Sequence, residues 1–199
     1  MANLNIERLL AKFGMKGINY GAVPGGKATF SVEEQLAMVG ICWDESPAGW
    51  QCLMVECLAD QAAYRELLAV MHGEANRRMQ QWRGTFPQDA LTALAITAIA
   101  ESTQLRGTLC GECLGTGKTK TRAQQWRKCP ACNEGRVPWT NETRYAKFTR
   151  TLDVPYSRFT RYKPILEELV DWLSMGRTTA LLRMQGQMDK EKAEAKKAA

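Results

Sequence analysis

Apolar positions recur at helical spacing along most of the chain, and no stretch shows a convincing strand alternation. Met1 to Phe13 reads as a short, polar amphipathic helix. Gly14 to Thr29, with five glycines and one proline, reads as a loop, either a functional arm or a plain flexible connector. Ser31 with Glu34 makes a capping-box pattern, and Val32, Leu36 and Val39 share a face behind it. Pro47 and Gly49 mark a break. A longer helical stretch runs from about Trp50 to Trp82, with Leu53, Met54, Cys57, Leu58, Leu67, Leu68 and Met71 on its apolar face and Gly73 as a possible interruption. Asp89 caps a helix from Ala90 to about Leu105 that is apolar on most sides and therefore belongs inside a bundle.

After Pro138, Thr140 or Asn141 caps a helix through about Arg150, with Tyr145, Ala146 and Phe148 facing inward. Thr151 to Val154 is the turn. Pro155 suits the first position of the next helix, where its missing N–H costs nothing. Pro164 kinks that helix or begins another, to Ser174, with Ile165, Leu166, Leu169, Val170 and Leu173 as its stripe. Gly176 is a good stop; a last helix near Thr179 to Met184 fades into Lys/Glu/Ala sequence. The expected fold is mostly α: an N-terminal helical bundle, a four-cysteine zinc finger insertion, a helix-turn-helix and C-terminal helices. The expected divisions are a flexible arm over 1–30, a helical domain over 31–107, a zinc-binding module over 108–139, a helix-turn-helix over 140–176, and a C-terminal helix and tail over 177–199.

The zinc finger is read from cysteine spacing. Cys110-Gly-Glu-Cys113 and Cys129-Pro-Ala-Cys132 are separated by fifteen residues, and each pair can aim two thiolates at one tetrahedral ion. The one histidine, His72, is far off in sequence, so four thiolates are the simplest ligand set for one structural Zn2+. Disulfides are the main competitor, and surface thiols without metal are the other. Gly115-Thr-Gly117-Lys118-Thr119 imitates the end of a phosphate-binding loop. The glycine that loop needs five residues before Gly117 is Glu112 here, and no apolar strand precedes it. Cys42, Cys52 and Cys57 read as core thiols.

Charge adds a partner to this picture. Residues 1–109 carry 9 basic against 11 acidic residues, whereas 118–163 carry 12 against 3. A block of that sign suits a phosphate backbone; a solvated basic face, or contact with an acidic protein, is the bland alternative. The candidate DNA contacts are Tyr156, Ser157, Arg158, Thr160, Arg161 and Lys163 at the start of the second helix, with Lys118, Lys120, Arg122, Arg127 and Lys128 in the cysteine module. Arg158 and Arg161 can serve base edges or phosphates, and a pure packing role for their helix stays open. Arg77, Arg78 and Arg83 read as a solvated helix end. Seven cysteines without a secretory segment predict a reducing cytoplasm, and the longest apolar run, Ala93 to Ala100, is far short of a membrane span.

Taken in order, these residues resemble the antitermination protein Q family of lambda-type bacteriophages. The resemblance runs through Cys110-x-x-Cys113-x-Gly115-Thr116-Gly117, Trp126, Cys129-x-x-Cys132, Tyr145, Pro155, Ser157-Arg158 and Lys163-Pro164, and is good over about Leu109 to Leu173. The cysteine motif alone also resembles the zinc domain of DnaJ chaperones. The family resemblance implies a transcription factor, not an enzyme, in a bacterial host cytoplasm. Such a factor binds double-stranded DNA at a late promoter, engages RNA polymerase at its beta flap and sigma subunit, and lets it read through pauses and terminators with a Nus factor. A repressor or activator without antitermination, and a DnaJ-like protein-binding module, are the alternatives.

Overall fold

The structure is a computed structural model that describes residues 46–122 and 124–198. The expected arm, the expected helices before Ser46 and Cys42 lie outside the described residues. The protein is mostly helical. Five helices are described: α1 (Pro47–Leu58), α2 (Gln61–Met79), α3 (Asp89–Thr103), α4 (Asn141–Phe148) and α5 (Tyr156–Ala198). Between α3 and α4 lie four short strands, β1 (Thr108–Leu109), β2 (Lys118–Lys120), β3 (Trp126–Lys128) and β4 (Arg136–Val137), which the periodicity did not predict. Strands of two or three residues are too short to show alternation. The described residues fall into two compact units, one of 46–67 with 172–198 and one within 68–171.

In the first unit Trp50, Leu53, Ala180 and Met184 are buried together, with Met54, Cys57, Leu58 and Leu181 packed against them. Pro47 does not break the chain but opens α1, since a first-turn residue has no intrahelical N–H partner to lose. Nor does Gly176 end a helix. It lies inside the 43-residue α5, and a Cβ on Gly49 would stand 2.0 Å from its carbonyl oxygen. The two glycines let two helix backbones meet, and the Ser46 hydroxyl donates to the same carbonyl at 3.1 Å. Arg177 forks onto Glu56 across this contact.

The expected helix from Trp50 to Trp82 is two helices. Ala59 takes a left-handed conformation (φ 52°) and donates its N–H to Met54 and Val55, closing α1. The Asp60 carboxylate then accepts the N–H groups of Ala62 and Ala63 at 2.7 and 3.1 Å, starting α2. Gly73 does not interrupt α2.

In the second unit α3 is buried over most of its surface, from Ala90 and Leu91 to Ile99 and Ala100, as its composition predicts. It begins with Asp89 itself and ends at Thr103. Thr140 caps α4 with a reciprocal pair: its hydroxyl accepts the Thr143 N–H at 3.3 Å, and the Thr143 hydroxyl accepts its N–H at 2.8 Å. Phe148 is buried there, Tyr145 is half-buried, and Ala146 is exposed rather than inward-facing. Thr149 to Pro155 connect α4 to α5, a longer link than the expected four-residue turn.

Pro164 does not end α5. A proline inside a helix costs about 3 kcal/mol. Each large apolar side chain fully buried by continuing returns about 1.5–3 kcal/mol, and Leu166 and Leu169 are both fully buried beyond it. The aromatic centre of this unit is Phe148, Phe159 and Tyr162, with ring centroids 5.3 and 5.4 Å apart. Arg144 joins three helices by pairing with Glu101 on α3 and, at 3.1 Å, with Glu167 on α5. Among the described residues no helix is long and apolar enough to cross a membrane.

Candidate metal centre and basic surface

The two cysteine pairs sit in turns hung on two small antiparallel ladders. β1 pairs with β4, Thr108 opposite Val137, and β2 pairs with β3, Lys118 opposite Lys128. Each first cysteine is tied to the other half of the module. The Cys110 N–H donates to Gly135 O, and the Cys129 N–H to Gly117 O, both at 2.9 Å. The chain returns so closely that a Cβ on Gly135 would lie 2.1 Å from the Gly115 carbonyl. After the second pair, Glu134 holds a left-handed conformation (φ 49°), which a residue with a Cβ adopts at a cost.

The four sulfurs of Cys110, Cys113, Cys129 and Cys132 all lie within 4.8 Å of one another. Cys110 to Cys129 spans 3.9 Å and Cys113 to Cys132 spans 3.6 Å. A disulfide needs about 2.0 Å, so these are free thiols. A tetrahedron with metal–sulfur bonds of about 2.3 Å has edges of about 3.8 Å, close to both distances. Cys110, Cys113 and Cys129 are buried and Cys132 is half-buried. The cluster can hold a metal ion.

The thiols do not share one electrostatic environment. Burial works against a Cys113 thiolate. The Cys132 thiol, the backbone N–H groups of Gly117 and Gly115 and the Cys110 thiol outweigh it, and bring Cys113 down to about 7. Burial raises Cys132 to about 12, with Cys113 and Cys129 adding to it. The Cys113 proton therefore leaves more easily than that of a free thiol, and the neighbouring sulfurs hold back the one on Cys132. A cation reverses that resistance. Cys52, by contrast, is a core thiol of α1 pushed up to about 12 by burial first and by the Glu56 carboxylate second. Cys57 is half-buried against the Trp50 cluster.

The expected DNA contacts fall into two groups. On the β2–β3 hairpin, Lys118, Lys120, Arg127 and Lys128 are exposed, as is Arg122 in the connecting turn. Lys118, Lys120, Trp126 and Lys128 share one face by register, and Thr119 and Arg127 the other. On α5, Tyr156, Ser157, Arg158, Thr160 and Arg161 are exposed and Lys163 is half-buried. Several of these already have partners. The Thr160 hydroxyl donates to Tyr156 and Ser157 carbonyls of its own helix, and Lys163 pairs with Glu167 at 3.7 Å. The Tyr156 ring meets Tyr145 edge-on at 5.1 Å. The Arg161 guanidinium lies 4.8 Å over the Trp82 ring, whose other neighbour is Tyr162, stacked at 4.5 Å. Ser157 and Arg158 remain as the free polar side chains of that turn among the described residues.

Two features escaped the sequence. Arg83 is brought to Arg161, whose guanidinium donates to its carbonyl at 3.4 Å beside a cleft of about 430 Å³. Trp126, 63% exposed, stands among lysines on the hairpin face. The alternation Lys118-Thr119-Lys120 was a signal for the second, but three residues are too few to prove a strand. His72 is half-buried on α2, away in sequence from the cysteine cluster. The Gly115–Thr119 stretch runs into strand β2 rather than opening a helix, so it lacks the helix N-terminus a phosphate-binding loop uses. The chain matches no protein-family model and no curated protein.

Proposed function

We propose that residues 108–176 form a zinc-stapled DNA-binding module, and that the protein is a transcription antitermination factor of the phage late-gene kind. One observation carries the DNA-binding part. Beside a four-thiol cluster the β2–β3 hairpin exposes Lys118, Lys120, Arg127 and Lys128, with Arg122 in its turn, and α5 separately exposes Arg158; none of these forms an ion pair among the described residues. Exposed cations without an ion-pair partner suit a phosphate backbone. Cys110, Cys113, Cys129 and Cys132 would hold zinc, which would supply a cross-link between the hairpins and, with four thiolates bound, no reaction chemistry. The chain then acts by binding and not as an enzyme.

On this reading the segment from α4 into α5 works as a helix-turn-helix, with the first turns of α5 entering the major groove. Ser157 and Arg158 reach base edges or phosphates. Arg161, held over Trp82, fixes the helix and offers its remaining N–H groups to a phosphate. Antitermination, the late promoter and the contacts with the polymerase beta flap, sigma subunit and a Nus factor come from the resemblance of Leu109 to Leu173 to the antitermination Q family. The helical residues before the cysteines would then face polymerase. A second reading, a protein-binding zinc module, draws support from Leu109 and Leu114, which are 57% and 82% exposed on the cysteine hairpins.

The test is duplex binding against salt, with and without a zinc chelator, on late-promoter and random DNA. Zinc-dependent affinity that falls steeply with salt, and weakens about tenfold in Arg158→Ala, supports the DNA reading. Absence of duplex binding at low salt with zinc in place favours the protein-binding module. Terminator read-through by purified RNA polymerase then separates an antiterminator from a repressor or activator.

A further inference from the structure

We infer that the face of the β2–β3 hairpin carrying Trp126 is a platform for single-stranded DNA. The inference rests on reading this module as a DNA binder and names a second form of DNA it takes. The register sets Lys118 directly opposite Lys128 and Lys120 opposite Trp126, all four on one side of a two-stranded ribbon. Like charges directly opposed destabilise a ribbon, and neither Lys118 nor Lys128 has an acidic partner among the described residues. A bound anion removes that repulsion.

Trp126 specifies which anion. The Lys120 ammonium lies 5.1 Å from its ring centroid, over one face of the indole. The residue is nonetheless 63% exposed, so the ring stays open to a stacking partner. A duplex keeps its base faces inside its own stack and presents only edges and phosphates. An unpaired base presents a whole face, and aromatic rings set among cations are how single strands are held without sequence preference. An acidic protein surface would satisfy the lysines but needs a ring or guanidinium placed among its carboxylates to cover the indole, whereas every unpaired nucleotide carries a phosphate and a base face together. The face carries donors only, three ammonium groups and one indole N–H, with no side-chain acceptor to receive a ribose 2′-hydroxyl proton. A ribose 2′-hydroxyl can still accept from an ammonium group, so the choice of DNA follows from the proposed function and the RNA strand is an arm of the test.

The experiment is fluorescence anisotropy on the full zinc-loaded chain. The probes are a labelled thymidine strand of about twelve nucleotides, a duplex of the same length and the matching RNA strand. Trp126→Ala is expected to weaken single-strand binding about tenfold and duplex binding less than about twofold, while Trp126→Phe keeps most of the single-strand affinity. Lys118→Ala and Lys128→Ala should each lower the salt slope by about one. No loss in Trp126→Ala, an equal loss on strand and duplex, or a tenfold preference for RNA overturns the inference. Zinc content and melting are measured alongside; should Trp126→Ala lose zinc, Trp126→Phe and Lys128→Ala decide. If Arg158→Ala weakens duplex binding while no Trp126 variant affects the strand, this inference alone fails. If the zinc-loaded chain binds neither strand nor duplex at low salt, the DNA-binding reading fails with it.

Discussion

The cysteine hairpins and the aromatic helical core, both within residues 68–171, are stabilised by different forces. In the hairpins the buried positions among the described residues of 107–137 are Gly107, Cys110, Cys113, Cys129 and Gly135. No large apolar side chain is buried there, and Leu109 and Leu114 face solvent. In the helical core Phe148, Phe159, Tyr162, Leu166 and Leu169 are all fully buried. A large buried apolar side chain is worth about 1.5–3 kcal/mol, so the helices can hold themselves by packing. The hairpins have no such reserve. What they offer is four sulfurs at metal-ligand spacing, where binding and folding are one free energy. The difference shows how a basic surface can be carried on a segment that buries no large apolar side chain.

The comparison is broken most directly at Cys129. Cys129→Ser should strip the metal and remove on the order of 10 kcal/mol of metal-coupled folding energy from the hairpins. Zinc content and amide exchange read it: the Cys110 N–H should lose protection while the Phe159 and Tyr162 amides keep theirs. Loss of protection in both regions would mean that they do not fold separately. Phe148→Ala is the converse and should cost about 3–5 kcal/mol. The expected result is a lower urea midpoint with zinc content unchanged.

Two smaller changes sharpen the contrast. Glu134→Gly relieves the left-handed conformation in the second cysteine turn and should raise the zinc-loaded stability by about 1 kcal/mol. A melting temperature that stays put or falls would show that the Glu134 side chain contributes something its φ angle conceals. The smallest effect lies in the helices. Hydrogen bonds from Arg77, with Arg78 adding charge and a further bond, hold the Glu74 carboxyl below the usual carboxylate range against the opposing effect of burial. A depressed folded value means the stabilisation is present above the ordinary glutamate pKa and is lost as pH falls through the folded one. Arg77 is largely exposed and solvent screens the pair, so no more than about 1 kcal/mol is at stake. Glu74→Gln should lower stability slightly at pH 7 and not at all near pH 2, in parallel urea titrations.

Local chemistry in the sequence determined the four clustered cysteines, a helix cap at Thr140 or Asn141, the buried α3 and the apolar stripe of α5. Each is set by residues a few positions apart: two cysteines in one turn, a hydroxyl three residues from its donor, leucines at helical spacing. Two such pairs at this separation predicted that they would approach each other, as they do. Tertiary structure decided the rest. Glycine serves either a left-handed turn or a close approach, and only the meeting of Gly49 with Gly176 shows that Gly176 serves the second. The break at Ala59 depended on Asp60 capping the next helix, and the passage through Pro164 on what α5 buries beyond it. Whether three lysines and a tryptophan share one face was fixed by strand register. Pairing between segments sets that register, and strands of three residues carry no periodicity from which to read it.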